Sequence, residues 1–411
     1  MIYLLVGYMW LFIHRPFEVW PWLGDLHVER VYMLATIGYW ALVANKSWTS
    51  NCVNIAIALM AASIILSTLF SPYTDFSNET VQNWFKLAIF YILVMSSVRT
   101  ERELKILVVA FVAILGIYEL HALREYMNGR GVYRMDTWRM VGVDATMNDP
   151  NTFAASVVYG LPILMFLWPD CRTRKKRIAW GAAFVLAATC VLLTGSRTAL
   201  AGLCVLVAGM TLLSRHRFTL AMLLLIIAPI AWLALPVDRQ NRFLTLIDPS
   251  FGPKNAQESA EGRSEGFWNG VALWQKNPIV GVGPAFGIAT GKGFQSHHLY
   301  GQVLGELGTV GAIAFACLVG SFGLNYLDVR RLTRQNPLLR GSFSARVILA
   351  GTTGVLMLLF FGFGGHNLYR YNWLWFGAFE AIALYCLRHR EEMPANESFL
   401  VADDTMPGDC L

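Results

Sequence analysis

Twelve apolar segments separated by polar connections constrain this chain more than any other feature of its sequence. A helix that crosses a bilayer needs about 20 mostly apolar residues. Candidate segments fall at 1–13, 31–44, 52–70, 86–98, 104–120, 152–168, 178–194, 198–213, 218–236, 298–324, 346–363 and 371–387. Composition agrees: of 411 residues, 55% are hydrophobic and only 15% charged, against about 25% charged in a typical soluble domain. So little charge does not cover a soluble globule of this length, and the composition also excludes a disordered chain, a soluble solenoid and a disulfide-stapled module. The net charge of +6 is no nucleic-acid signal, because the bases are dispersed over loops and the aromatics lie inside apolar segments. The expected fold class is an all-α integral membrane protein, a polytopic bundle of about 12 transmembrane helices.

Basic residues set the expected orientation. Arg99, Arg102 and Lys105 share one short loop, and Arg172, Arg174, Lys175, Lys176 and Arg177 a second. Arg215 and Arg217 mark a third, and Arg330, Arg331, Arg334, Arg340 and Arg346 a fourth. Alternating helices put all four on one face, which the excess of Lys and Arg makes cytoplasmic, and twelve spans bring both termini to that face. Segment 1–13 begins at Met1 with no polar n-region or small-residue cleavage site, so it reads as a retained helix rather than a signal peptide. The seven cysteines fall in spans, at cytoplasmic edges or in the tail (Cys410), with no CxxC spacing. The expected organisation is a bundle of about nine spans over 1–236, a long outer loop at 237–297, further spans over 298–390, and a disordered cytoplasmic tail at 391–411.

Three clusters on the outer face carry the candidate chemistry. The first is Thr194-Gly195-Ser196-Arg197, a tight turn between two spans. An arginine there either snorkels from a helix end or binds an anion, since its planar guanidinium matches phosphate oxygens and the next helix adds its N-terminal amides. The second runs from Gly262-Arg263-Ser264-Glu265-Gly266-Phe267-Trp268 to Trp274, then through Asn277-Pro278-Ile279-Val280-Gly281-Val282-Gly283. It reads as an amphipathic outer helix stopped at Asn277-Pro278 and followed by a glycine-rich turn, with aromatic rings suited to the membrane interface. The third is Ser296-His297-His298-Leu299-Tyr300-Gly301-Gln302-Val303-Leu304-Gly305-Glu306, where the long loop returns to the membrane. Gly301 and Gly305 are four apart, which permits close helix packing, and a histidine here can exchange a proton near neutral pH. His298, Tyr300 and Glu306 are further substrate-binding candidates. Asn148-Asp149-Pro150-Asn151 is expected to cap a helix, Arg370 in the last outer loop adds a cation, and Glu380 is an intramembrane acid of unassigned partner. No GxxxxGK[ST], HExxH or GxSxG motif occurs, which leaves soluble nucleotide, zinc-protease and hydrolase chemistry without residues.

The three pieces in order, "TGSRTALAG", "GRSEGFWNGVALWQKNPIVGVGPAFG" and "SHHLYGQVLGELGTVG", resemble the signature region of the O-antigen ligase and polymerase superfamily. The resemblance covers roughly residues 190–320. It implies a polytopic GT-C-type glycosyltransferase of the bacterial inner membrane that draws on an undecaprenyl-diphosphate-linked glycan at the periplasmic face, without metal or cofactor. Carried over by position, Arg197 and Arg263 hold the donor diphosphate. The family histidine, nine residues before the glutamate that is here Glu306, is His297, with His298 standing where many members have Asn. The acceptor is lipid A–core or another glycan or protein, and a polymerase of lipid-linked repeat units is the neighbouring alternative. A transporter or flippase is the reading from another class, but it is expected to place polar groups near the midplane of broken helices, where this chain shows little besides Glu380.

Overall fold

The structure, a computed structural model, describes residues 1–134, 137–171, 173–245, 247–248, 255–293 and 296–392. Arg172, Cys410 and the tail beyond residue 392 lie outside the described residues. In chain order the elements are α1 (Ile2–His14), α2 (Pro16–Val19), α3 (Pro21–Asp25), α4 (Val28–Leu42), α5 (Cys52–Leu69), α6 (Thr74–Ser97) and α7 (Glu101–Met127). The hairpin β1 (Val132–Arg134) and β2 (Thr137–Arg139) follows, then α8 (Pro150–Leu167), α9 (Arg174–Thr194), α10 (Arg197–Leu213), α11 (Arg217–Leu233) and α12 (Val237–Leu244). The chain closes with α13 (Asn255–Lys276), α14 (Phe286–Ala289), α15 (Leu299–Gln335), α16 (Phe343–Gly362) and α17 (Tyr371–Glu392). The fold is helical with one exception to the all-α expectation, the antiparallel pair β1–β2 in the outer segment before α8.

Each of the twelve apolar segments is helical, but among the described residues six helices by themselves are long and apolar enough to cross a membrane: α5, α7, α8, α9, α15 and α16. A seventh arises if α11 and α12, bent by 119°, count as one span. The others fall short for identifiable reasons. The helices α1 and α4 have only 13 and 15 residues, and α6 is polar over its first half, with Asp75, Glu79, Asn83 and Lys86. The last helix, α17, ends in Arg388, His389 and Arg390, yet it lies at the heart of the molecule. Trp373, Trp375, Phe376, Phe379 and Ile382 are almost wholly buried, packed among α5, α6, α7, α15 and α16.

Polar signals set the helix ends. Thr100 and Glu103 form a capping box on α7. Asp149 accepts from the amides of Asn151 and Thr152, both at 2.9 Å, with Pro150 in the first turn of α8. The basic loops meet at one end of the bundle: Arg388 pairs with Asp328 at 2.6 Å, Arg390 with Glu101 at 3.2 Å, and Arg346 with Asp170. Glu380 is fully buried and accepts hydrogen bonds from Asn325 (3.3 Å) and Thr352 (3.0 Å), while Asn51 bonds Asn325 at 3.0 Å. One carboxyl group thus joins α15, α16 and α17, and Asn51, the cap of α5, is tied to it through Asn325.

At the opposite end, α13 lies against α15 through glycines. A side chain on Gly270 would meet the Gly301 carbonyl oxygen at 2.1 Å, and one on Gly301 would meet the Gly266 carbonyl oxygen at 2.7 Å. The small-residue spacing at 301 and 305 is therefore matched at 266 and 270, and the two backbones touch. Beyond this seam α15 breaks at Gly308, whose φ of 64° and ψ of −160° are not helical. The turn after α13 bridges the break. The amides of Val282 and Gly283 donate to the carbonyls of Gly305 and Glu306 at 3.0 and 2.9 Å, while those of Thr309 and Val310 donate to Pro278 and Ile279 at 2.9 and 3.0 Å. Backbone groups freed by the break are thereby satisfied inside the protein, as an apolar environment requires.

Leucine in place of Gly270 is expected to drive α13 from its seat, at a cost of about 1–3 kcal/mol or more. Limited proteolysis of the purified protein should then cut the 237–297 segment faster than in the wild type. Gly320→Ala on α15, where a Cβ meets nothing within 4 Å, should leave the cleavage rate unchanged; equal resistance of both variants would contradict the role of the seam.

Candidate anion-binding site

Helix α9 stops at Gly195, which takes the left-handed conformation (φ 59°), and α10 starts two residues later with Ser196 as its cap. Gly195 suits this turn because a side chain is strained at that φ. The last carbonyls of α9 have no partners within their own helix, and two buried arginines supply them. Arg139, 1% exposed, donates from Nε to the Thr194 carbonyl at 2.7 Å and from Nη2 to Asn151 Oδ1 at 2.8 Å. Arg242 donates from Nε to the Gly195 carbonyl at 2.7 Å. Arg197, the first residue of α10, donates to Thr245 Oγ1 at 3.0 Å. Segments from β2, the α9–α10 turn and α12 therefore close on one another through guanidinium groups.

Beside this turn is a cavity of about 860 Å³, within the usual range of ligand pockets. Its wall includes Ser196 and Thr198 from the start of α10, Arg263 from α13, His297, and the loop from Gly364 to Arg370 between α16 and α17. Arg134 also lines it and pairs with Asp149 at 3.5 Å. Asp149 is the one acid among the described residues of the wall, facing the cations Arg134, Arg263 and Arg370. Burial, then neighbouring guanidiniums, push Arg139 down to about 9 and Arg242 to about 10, and the same causes lower Arg263. Arg139 and Arg242 remain cationic at neutral pH and repel each other, and Arg197 repels Arg263; an anion in the neighbouring cavity would relieve that repulsion.

The structure separates the two adjacent histidines. His297 lines the cavity, with its ring centroid 5.9 Å from that of His366. His298 caps α15 instead, its Nδ1 accepting from the Gly301 amide at 3.3 Å, and its ring sits among Phe267, Tyr300 and Phe363. Burial, with Arg134 and Arg263 nearby, lowers the His297 pKa, although Asp149 opposes the shift. His366 is driven to about 4 by burial, Arg370 and His297, and its Nδ1 is buried with no hydrogen-bond partner. Both rings are therefore neutral at pH 7.

Of the residues singled out in the sequence, Asp149, Arg263, His297 and Arg370 line the cavity, and Arg197 follows and precedes lining residues without lining it itself. Glu306 and Tyr300 are not among the lining residues. Glu306 is fully buried and accepts from the Phe286 amide (3.2 Å), Gln302 Nε2 (3.1 Å) and the Tyr369 hydroxyl (2.8 Å). It fixes α14 and the α16–α17 loop onto α15. Tyr300 donates to the Leu359 carbonyl at 3.1 Å. Arg134, Arg139 and Arg242 belong to none of the three sequence clusters, whereas His366 lies in the same last outer loop as Arg370.

The family model described as O-antigen ligase matches residues 182–316, a stretch that runs from within α9 to within α15 and contains Arg197, Arg263 and His297. Over this stretch the chain is similar to the O-antigen ligase family, and its long apolar helices are those of a multi-pass membrane protein. No curated protein matches it.

A base must be neutral to accept a proton, and the His297 pKa lies below its ordinary value near 6.5. Any reaction that uses it should lose rate only as pH falls below about 6.5. A pH profile of kcat/KM with its acid limb below 6.5, absent in His297→Ala, is the expected result; a limb centred above 7 would contradict it.

Proposed function

We propose that the protein is a glycosyltransferase that moves a glycan from an undecaprenyl-diphosphate donor to an acceptor at the periplasmic face of a bacterial inner membrane. The observation that carries this reading is the cationic cavity itself. Arg263, Arg134 and Arg370 share it with the start of α10 and with His297, at the end of the bundle opposite the basic loops. The match of residues 182–316 to the O-antigen ligase family model supports the same reading.

The chemistry follows from these groups. The acceptor hydroxyl oxygen forms a bond to the anomeric carbon of the donor sugar, and the bond from that carbon to the diphosphate oxygen breaks, its electron pair leaving with the diphosphate. His297 takes the proton of the attacking hydroxyl. Negative charge grows on the diphosphate as the bond breaks, and in this reading Arg263 and the α10 amides, with Arg197 beside them, stabilise it. Preorganised charge of this kind acts most strongly where water is excluded. Direct displacement inverts the anomeric configuration. In this reading the basic end of the bundle and both termini face the cytoplasm, as the excess of Lys and Arg requires. Transfer to lipid A–core, another glycan or a protein makes the enzyme a ligase; transfer to a second lipid-linked glycan makes it a polymerase.

Purified inner membranes supplied with lipid-linked donor, with and without lipid-core acceptor, provide the test. Wild-type protein should form product, and Arg263→Ala or Arg197→Ala should lower the rate by about 10²–10³-fold at equal expression. His297→Ala should lower it by about 10²–10⁴-fold. Mutants as active as the wild type would overturn the site assignment, and a wild type inactive with every acceptor would return the transporter reading to first place.

A further inference from the structure

A second cavity, about 190 Å³, opens beside the arginine-lined one between α1, α6, α7 and α8. Thr146 and Arg370 belong to the walls of both. We propose that this smaller cavity is a subsite for a single sugar ring of the acceptor glycan. The inference rests on the glycan-transfer reading above and assigns the place where the attacking sugar is held.

Size is the first argument. A cavity of about 150 Å³ accommodates one six-membered carbon ring, so about 190 Å³ takes one such ring with its substituents and not a chain of them. Lining chemistry is the second. Phe12, Tyr118, Phe153 and Tyr371 offer aromatic surface, while the deep wall carries Glu119. Its side chain is only 5% exposed, and it accepts no hydrogen bond among the described residues. Lys86 lines the same cavity with Nζ bonded only to Asn83 Oδ1 at 3.1 Å, and it pairs with no acid among the described residues. The Arg370 guanidinium meets the Met147 sulfur at 3.8 Å and likewise has no acidic partner among the described residues.

A buried polar group without a partner costs free energy that a matching ligand returns. Glu119 accepts, while Lys86 and Arg370 donate; ring hydroxyls do both. An acyl chain would meet none of these needs and would leave the buried Glu119 without a partner, so the lipid tail of the donor is the poorer occupant. Position is the third argument. A ring in the small cavity lies across Arg370 from the cationic one, so its hydroxyl can reach the anomeric carbon while the diphosphate stays among the arginines. The hydroxyl oxygen then bonds that carbon, the diphosphate departs with the electron pair, and His297 receives the proton.

Saturation-transfer NMR on the full-length protein in detergent tests the assignment, with the methyl glycosides of glucose, galactose, mannose and glucosamine as probes. At least one glycoside should bind saturably. Glu119→Gln and Lys86→Met, each checked for wild-type thermal stability, should weaken that binding by about ten-fold. Arg263→Ala should leave it intact, yet lose binding of undecaprenyl diphosphate, which Glu119→Gln and Lys86→Met should retain. Absence of saturable glycoside binding, or binding unaffected by both cavity variants, would overturn the subsite. Loss of undecaprenyl-diphosphate binding in Glu119→Gln or Lys86→Met would overturn it too, because the cavity would then serve the donor. Failure of the transfer reading is seen separately, as glycoside binding in a protein that transfers no glycan.

Discussion

The break in α15 at Gly308, closed by the 277–283 turn, is the constraint on which the outer end of the molecule depends. Four backbone hydrogen bonds cross it, and each needs the close approach that Gly281, Gly283 and Gly308 allow with their positive φ angles. The turn in turn fixes where α13 ends, and the glycine seam fixes how near α13 comes to α15. Arg263 sits on the first of these helices and His297 just ahead of the second. Their meeting in one cavity is thus a consequence of backbone packing three turns away, with Glu306 locking the same corner to Tyr369 and Phe286.

Charge concentration at that corner has a different origin. Arg139 and Arg242 are there to satisfy the last carbonyls of α9, which no helix of its own can supply, and they hold the turn that presents Arg197 and the amides of α10. The arrangement gathers more positive charge than nearby acids neutralise, since Asp149 already pairs with Arg134. A structure that keeps such a cluster next to a cavity of about 860 Å³ is prepared for an anion.

Much of this was legible in the sequence because it is written in local signals. Apolar runs located every helix of the bundle, the Asp149-Pro150 pair announced a capped start, and Asn277-Pro278 marked the end of α13. The number of membrane-crossing helices was less legible, since α1 and α4 have only 13 and 15 residues and α17, though 22 long, carries Asn372 and Glu380 within it. Gly301 and Gly305 declared a close contact, but their partners Gly266 and Gly270 are more than thirty residues away and emerge only when α13 is laid in place. That His298 caps α15 while His297 lines the cavity rests on one bond, from the Gly301 amide to His298, which residue type alone does not reveal. Arg139 and Arg242 were hidden for the same reason: their targets are backbone carbonyls, which leave no mark in a sequence.

The central claim is that a lipid-linked diphosphate occupies the cavity between α10, α13 and the α16–α17 loop. The most direct measurement is a cryo-electron microscopy structure of the protein in nanodiscs saturated with undecaprenyl diphosphate. The account predicts diphosphate density in contact with the Arg263 guanidinium and the amides at the start of α10, with His297 beside it and the small cavity toward Glu119 left free. Diphosphate density elsewhere on the protein, with the arginine-lined cavity empty, would contradict it.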